Sequence, residues 1–155
     1  MTDIATLDPE AALRGRGLRV TQPRLAVYRA LAASPHASAG LVLDAARADH
    51  PALSPQAVYG ILDDLVEAGL ARRFSPPEGA ARYELRVGDN HHHLSCVECG
   101  RLEDVDCVVG AAPCLDPGDD LGFEVVAAEI TFLGRCPGCR ALAAGPEAAA
   151  GPRTS

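Results

Sequence analysis

The sequence predicts an α+β fold in two parts: a winged helix-turn-helix over residues 1–86 and a small α/β domain with a four-cysteine zinc site over 87–140. A tail at 141–155, mostly Ala, Gly and Pro with little to bury, is expected to be disordered. Three observations carry this. Helical apolar stripes precede two short strand-like runs in the first part. Two CxxC pairs, Cys96-Val97-Glu98-Cys99 and Cys136-Pro137-Gly138-Cys139, bracket the second. The charge is also unevenly divided: ten arginines meet ten acids in residues 1–86, whereas four meet eleven in 87–155.

Residues 8–16 read as a short first helix, broken at Gly17. Thr21 is a good N-cap, and Leu25, Tyr28, Leu31 and Ala32 recur at helical spacing behind it until Ser34-Pro35. Ser38 caps a third helix with Leu41, Ala45 and Ala48 on one face, stopping at His50-Pro51. Ser54-Pro55 is the sharpest start in the chain, a Ser cap with Pro in the first turn. Val58, Ile61, Leu62 and Leu65 form its core stripe, leaving Gln56, Tyr59 and Gly60 on the open face, and Gly69 ends it. Leu70 to Phe74 and Ala81 to Leu85 then read as a β-hairpin around Ser75 to Gly79. Three helices and a hairpin are the plan of a winged helix, whose second helix of the pair enters the DNA major groove.

In the second part, Leu94 to Cys96, Arg101 to Asp106 and Phe123 to Ile130 read as strands, with a turn-rich stretch from Pro113 to Asp120. Cys96, Cys99, Cys136 and Cys139 supply the four thiolates of a closed tetrahedral zinc shell. The competing reading is a redox dithiol or disulfide. It fits less well because such a CxxC opens a helix after a strand, and no long helical stripe follows Cys99 or Cys139. His91 and His93 are two apart and share one face of a strand, while His92 points away. The thiolates have their own ion, so these imidazoles suggest a second N/O site completed by nearby carboxylates, Glu84 and Asp104. A solvated histidine run is the plain alternative; an expression tag would be terminal.

Composition bounds the rest. The net charge of −7 argues against nucleic acid if read naively, yet Ala11 to Ala39 carries Arg14, Arg16, Arg19, Arg24 and Arg29 and no acid. That block suits phosphates, or is a solvated helix face. No apolar run is long enough to span a bilayer, so no membrane partner is expected. The start, Met1-Thr2-Asp3-Ile4, has no secretory pattern, which predicts a cytoplasmic address. In that reducing compartment the six cysteines read as ligands or sensors.

Several motifs together resemble the ferric uptake regulator (Fur) family: Gly17-Leu18-Arg19-Val20-Thr21-Gln22-Pro23-Arg24, Ser54-x-x-Ala57-Val58-Tyr59, Glu67-Ala68-Gly69-Leu70, Arg82-Tyr83-Glu84 and the HHHLxCxxCG stretch from His91. The resemblance covers about residues 10–140. Asp104-Val105-Asp106-Cys107 and Ala112-Pro113-Cys114-Leu115 look like the FurA-type, peroxide-sensing branch of actinobacteria, associated with control of a catalase-peroxidase gene and of its own gene. The resemblance implies a homodimeric repressor that binds a pseudo-palindromic operator in double-stranded DNA. It implies structural Zn(II) on Cys96, Cys99, Cys136 and Cys139, and regulatory Fe(II) or Mn(II) on His36, Glu84, His91, His93 and Asp104. It also implies DNA contacts by Arg19 and Tyr59, beside Gln56 on the same open face.

The chain departs from the family at Gly60, where many members carry Arg, and at Ala128 and Asn90, where some place further histidines. Cys107 and Cys114 lie outside the zinc pattern and are either redox-sensing thiols or small buried apolar residues. An enzyme is not expected, because a four-Cys site is closed. A zinc-dependent enzyme on the His/Glu/Asp set and a metal-buffering protein that ignores DNA remain the rival readings.

Overall fold

The computed structural model describes residues 8–76, 79–85, 87, 91–107, 119–125 and 128–144. The chain divides into two compact units, Met1–Asp89 and Asn90–Ser155. Among the described residues no helix is long and apolar enough to cross a membrane.

The first unit opens with α1 (Pro9–Gly15) and α2 (Gln22–Ala33). The Ala11 N–H donates to the Asp8 carboxylate at 2.9 Å, and the Arg24 N–H donates to the Thr21 hydroxyl at 3.4 Å, so each helix starts on a side-chain cap. A two-residue strand, β1 (Ala37–Ser38), leads into α3 (Ala39–Ala46). Helix α4 (Pro55–Glu67) follows, its Ala57 N–H donating to Ser54 Oγ at 3.2 Å. Gly69, at φ +66°, ends it in the left-handed turn that a β-carbon disfavours. Strands β2 (Arg72–Phe74) and β3 (Arg82–Glu84) form the wing, and β1 joins it to give the antiparallel order β1-β3-β2. The core runs through the four helices, β1 and β3, with Leu13, Leu25, Val27, Tyr28, Leu31, Val42, Val58, Leu62, Leu65, Leu70 and Tyr83 buried together.

Helix α3 differs from expectation in phase and length. Leu41, Ala45 and Ala48 are exposed, and the buried positions are Ala39, Val42 and Ala46. Leu41, Val42 and Leu43 are all apolar, so periodicity cannot choose between the faces. Pairing of β1 with β3, Ala37 opposite Tyr83, sets the phase at which the chain enters the helix.

The second unit is a three-stranded sheet in the order β5-β4-β6, with β4 (His91–Cys96), β5 (Leu102–Asp106) and β6 (Thr131–Gly134), followed by α5 (Pro137–Ala144). Strands β4 and β5 are antiparallel; β4 and β6 are parallel, with His93 opposite Thr131 and Cys96 opposite Gly134. The third strand therefore lies C-terminal to the expected Phe123 to Ile130, whose described residues are not in a strand; Phe123 is exposed. What decides is the register that sets Cys136 beside Cys96. Helix α5 also corrects the expected tail: the chain is helical through Ala144. Residues 145–155, Cys114 and most of the Pro113 to Asp120 stretch lie outside the described residues.

Candidate metal centres and nucleic-acid face

The four CxxC sulfurs lie within 4.8 Å of one another. Cys96 ends β4, and the chain turns through Val97 and Glu98 to Cys99; the Gly100 N–H closes the turn by donating to Cys96 O at 2.9 Å, with Gly100 at φ +70°. The second knuckle meets the first because β6 runs parallel to β4 and delivers Cys136 two residues past Gly134. Cys99 Sγ and Cys136 Sγ are 3.8 Å apart. A tetrahedron with metal–sulfur bonds of about 2.3 Å has edges of about 3.8 Å, so the donor set and its spacing fit a structural zinc.

The second CxxC does stand between a strand and a helix, β6 and α5, which is the setting of a redox dithiol. Local sequence pattern therefore does not separate the two readings at this knuckle. The meeting of four sulfurs does, since a dithiol needs two.

The sulfurs are electrostatically unlike one another. The Cys136 N–H donates to Cys96 Sγ at 3.3 Å. With the Cys99 and Glu98 amides it holds the Cys96 thiol down to about 6. Cys139 instead donates to Cys136 first and then to Cys99, and its thiol is pushed up to about 12. Of these two, Cys96 is the sulfur that carries negative charge first.

The N/O ligand candidates sit in two groups, one in each unit. In the second unit, the β4–β5 register places His93 opposite Asp104 and His91 opposite Asp106. His91 and His93 share a face with ring centroids 5.2 Å apart, and both are buried. Their Nε2 atoms lie 4.0 and 3.7 Å from Asp104 Oδ1. Donors around one ion at about 2.0–2.2 Å stand about 3–4 Å apart, so this set suits a transition metal. His92 points to the other face, where its ring meets Phe132 edge-on at 6.0 Å.

In the first unit, Ala37 opposite Tyr83 sets His36 beside Glu84. His36 Nε2 is 3.0 Å from Glu84 Oε2, and the Glu84 side chain is 1 % exposed. His36 has φ +61°, a left-handed backbone that costs an L-residue about 1–2 kcal/mol. Three contacts hold it there: the Glu84 carboxylate, an edge-on Phe74 ring at 5.8 Å, and Arg82 Nη1 donating to the His36 carbonyl at 3.5 Å. The strain, the two-residue β1 and the part played by Arg82 were not foreseen from the sequence; Pro35 before His36 was the one local sign of a turn.

The open face of α4 is as expected, with Gln56, Tyr59 and Gly60 exposed, Tyr59 at 55 %. Arg19 is exposed in the α1–α2 loop, between Leu18 and Val20, which pack on the core. Cys107 is half-buried at the end of β5.

Comparison with known proteins is consistent across sequence and structure. The model of the ferric uptake regulator family matches residues 15–112. The protein named transcriptional regulator FurA of Mycobacterium tuberculosis is 50 % identical over 127 residues, 82 % of this chain and 86 % of that one. Ferric uptake regulation protein 1 of Mycolicibacterium fortuitum is 50 % identical over 126 residues, 81 % of this chain and 78 % of that one. Among solved structures, the ferric uptake regulator of Pseudomonas aeruginosa with manganese superposes with a TM-score of 0.63 at 26 % identity, covering 84 % of this chain and 99 % of that one.

Proposed function

The chain belongs to the ferric uptake regulator family, and from that premise we propose that it is a metal-dependent, homodimeric transcriptional repressor acting in the cytoplasm on a pseudo-palindromic operator. The observation that carries the reading is the His36–Glu84 pair, built on the same unit as the exposed face of α4. A potential metal half-site on the unit that would meet DNA is what a metal-gated repressor requires.

In this reading Cys96, Cys99, Cys136 and Cys139 hold structural Zn(II) and stabilise the second unit, which dimerises. His36 and Glu84 from the first unit, with His91, His93 and Asp104 from the second, hold one regulatory ion, Fe(II) or Mn(II). When bound, that ion supplies a fixed link between the units. The geometry matters because a dimer reads two half-sites only when its recognition helices stand about a helical turn apart. The size of the switch is set by the ion's differential affinity for that arrangement. Tyr59 and Gln56 reach bases from α4, and Arg19 reaches the backbone or minor groove from its loop.

The reading extends to peroxide or iron sensing, with control of a catalase-peroxidase gene and of the chain's own gene. Oxidation of a regulatory ligand releases the link, and Cys107, Cys114 and the zinc sulfurs offer a second, thiol-based trigger. The curated relatives are named as regulators, which favours this over a zinc-dependent enzyme or a metal buffer.

The test is a DNA-shift assay on the region upstream of the chain's own gene. Zinc-loaded protein is compared without further metal, with Mn(II), and with Fe(II) before and after peroxide. Retention with Mn(II) or Fe(II) and release on peroxide are expected. Metal binding without retention would leave the buffer reading; turnover of a substrate would leave the enzyme.

A further inference from the structure

Arg24 belongs to the basic block of the sequence, yet it does not point away from the protein. Its side chain is 19 % exposed. Nη1 donates to the carbonyl of Arg19 at 3.1 Å, and Nη2 is paired with the carboxylate of Asp64 on α4. One planar guanidinium therefore joins the α1–α2 loop to the helix that presents Tyr59. A second arginine reaches the same helix: Arg16 Nη1 lies 3.4 Å from where a β-carbon on Gly69 would stand, over the turn that ends α4. Between them, Leu18 and Val20 press the loop onto the core and leave Arg19 outward.

We infer that Arg24 is a positioning residue for DNA binding: with Asp64 it braces the Arg19 loop against α4, so that Arg19 and Tyr59 meet the duplex as one rigid surface. The inference rests on the proposed DNA-binding role of this unit. Both hydrogen bonds use the fork of the guanidinium, a geometry that a lysine ammonium cannot reproduce. Ordering Arg19 before contact removes an entropy cost that a free loop would bear on binding.

The brace makes a prediction opposite in sign to simple electrostatics. Asp64 is a negative charge on the proposed DNA-binding unit, so its loss should tighten DNA binding if charge alone acts. If Asp64 instead anchors Arg24, its loss weakens binding.

The experiment uses the full chain with Mn(II) and a double-stranded fragment of its own upstream region, measuring affinity across a salt series. Asp64→Ala is expected to bind several-fold more weakly than the parent. Arg19→Ala should make the salt dependence shallower by about one unit per protomer in the parent, and by little when Arg24→Met is already present. Arg24→Lys should behave like Arg24→Met despite keeping its charge. Equal or tighter binding by Asp64→Ala, or an undiminished Arg19→Ala effect beside Arg24→Met, would overturn the brace. Asp64 lies on the helix surface, so its sign test stands even where Arg24→Met fails to fold. A parent chain that ignores DNA overturns the functional reading and the brace with it, whereas a parent that binds and an Asp64→Ala that binds better overturns the brace alone.

Discussion

Removing the metal from the four-cysteine site should unfold one unit and spare the other, and the distribution of aromatic residues makes this directly observable. The three tyrosines, Tyr28, Tyr59 and Tyr83, all lie in the first unit, and there is no tryptophan. Tyr28 and Tyr83 are buried in its core. Near-ultraviolet tyrosine dichroism therefore reports the first unit, while far-ultraviolet dichroism reports both. In the second unit, the buried described side chains are His91, His92, His93 and Cys96, none of them aliphatic. Leu94, Val97, Phe132 and Leu133 are exposed in the single chain. A self-standing fold of that unit's 66 residues would have a stability of about 3–10 kcal/mol at the usual ~0.05–0.15 kcal/mol per residue. A structural zinc on the four sulfurs would contribute about 10–16 kcal/mol, more than that whole net stability. Chelation under reducing conditions is expected to remove one zinc per chain, abolish part of the far-ultraviolet signal and dissociate the dimer, with the tyrosine signal and its melting midpoint unchanged. Loss of tyrosine dichroism together with the zinc would refute independent folding. Loss of zinc with the far-ultraviolet spectrum and the dimer intact would refute a structural role for the ion.

Three further expectations follow from the sites. Tyr59→Ala should weaken operator binding by roughly 1–3 kcal/mol more than it weakens binding to random DNA, with stability unchanged within about 0.5 kcal/mol because the ring is exposed; equal losses on both DNAs would make it a backbone contact. His36→Ala should keep zinc and dimer but lose Mn(II)-activated DNA retention, and a variant that still responds to Mn(II) like the parent would rule out the link through His36. His36→Gly should be about 0.5–1 kcal/mol more stable than His36→Ala, since relief of the left-handed strain exceeds the chain entropy that glycine adds.

Where a residue's local neighbours dictate structure, the sequence was legible. Ser54-Pro55 and Gly69 bound α4 by capping chemistry that needs no partner from elsewhere, and the helix lies where they say. The cysteine pairs were legible for the same reason: a CxxC turn is local, and two of them have one common use. Legibility failed where long-range pairing decides. The β1 strand is two residues long and exists because β3 lies beside it. Phe123 to Ile130 reads as the third strand of the second unit, but β4 pairs with Thr131–Gly134. The His36 side chain is a candidate ligand by the family resemblance. Its backbone strain is not legible in the sequence, because the contacts that enforce it come from Phe74, Arg82 and Glu84. Arg24 shows the same limit, since its partner Asp64 is forty positions away.

The parallel pairing of β4 with β6 also fixes an order of events during synthesis. Parallel strands require a crossover, and here His93 must wait for Thr131, thirty-eight positions later. The core of the first unit is complete once Leu85 has been added. At the usual ribosomal pace of about 5–20 residues per second, Cys136 emerges roughly 3–10 s after that core is complete. Small domains rich in helical contacts fold in microseconds to milliseconds, far inside this interval. During the wait, Cys96 and Cys99 stand in the open as a two-sulfur stub with no sheet partner on the β6 side. A metal taken up by the four sulfurs would therefore meet a nascent chain whose first unit is already folded, and the last knuckle to leave the ribosome closes both the sulfur cluster and the sheet.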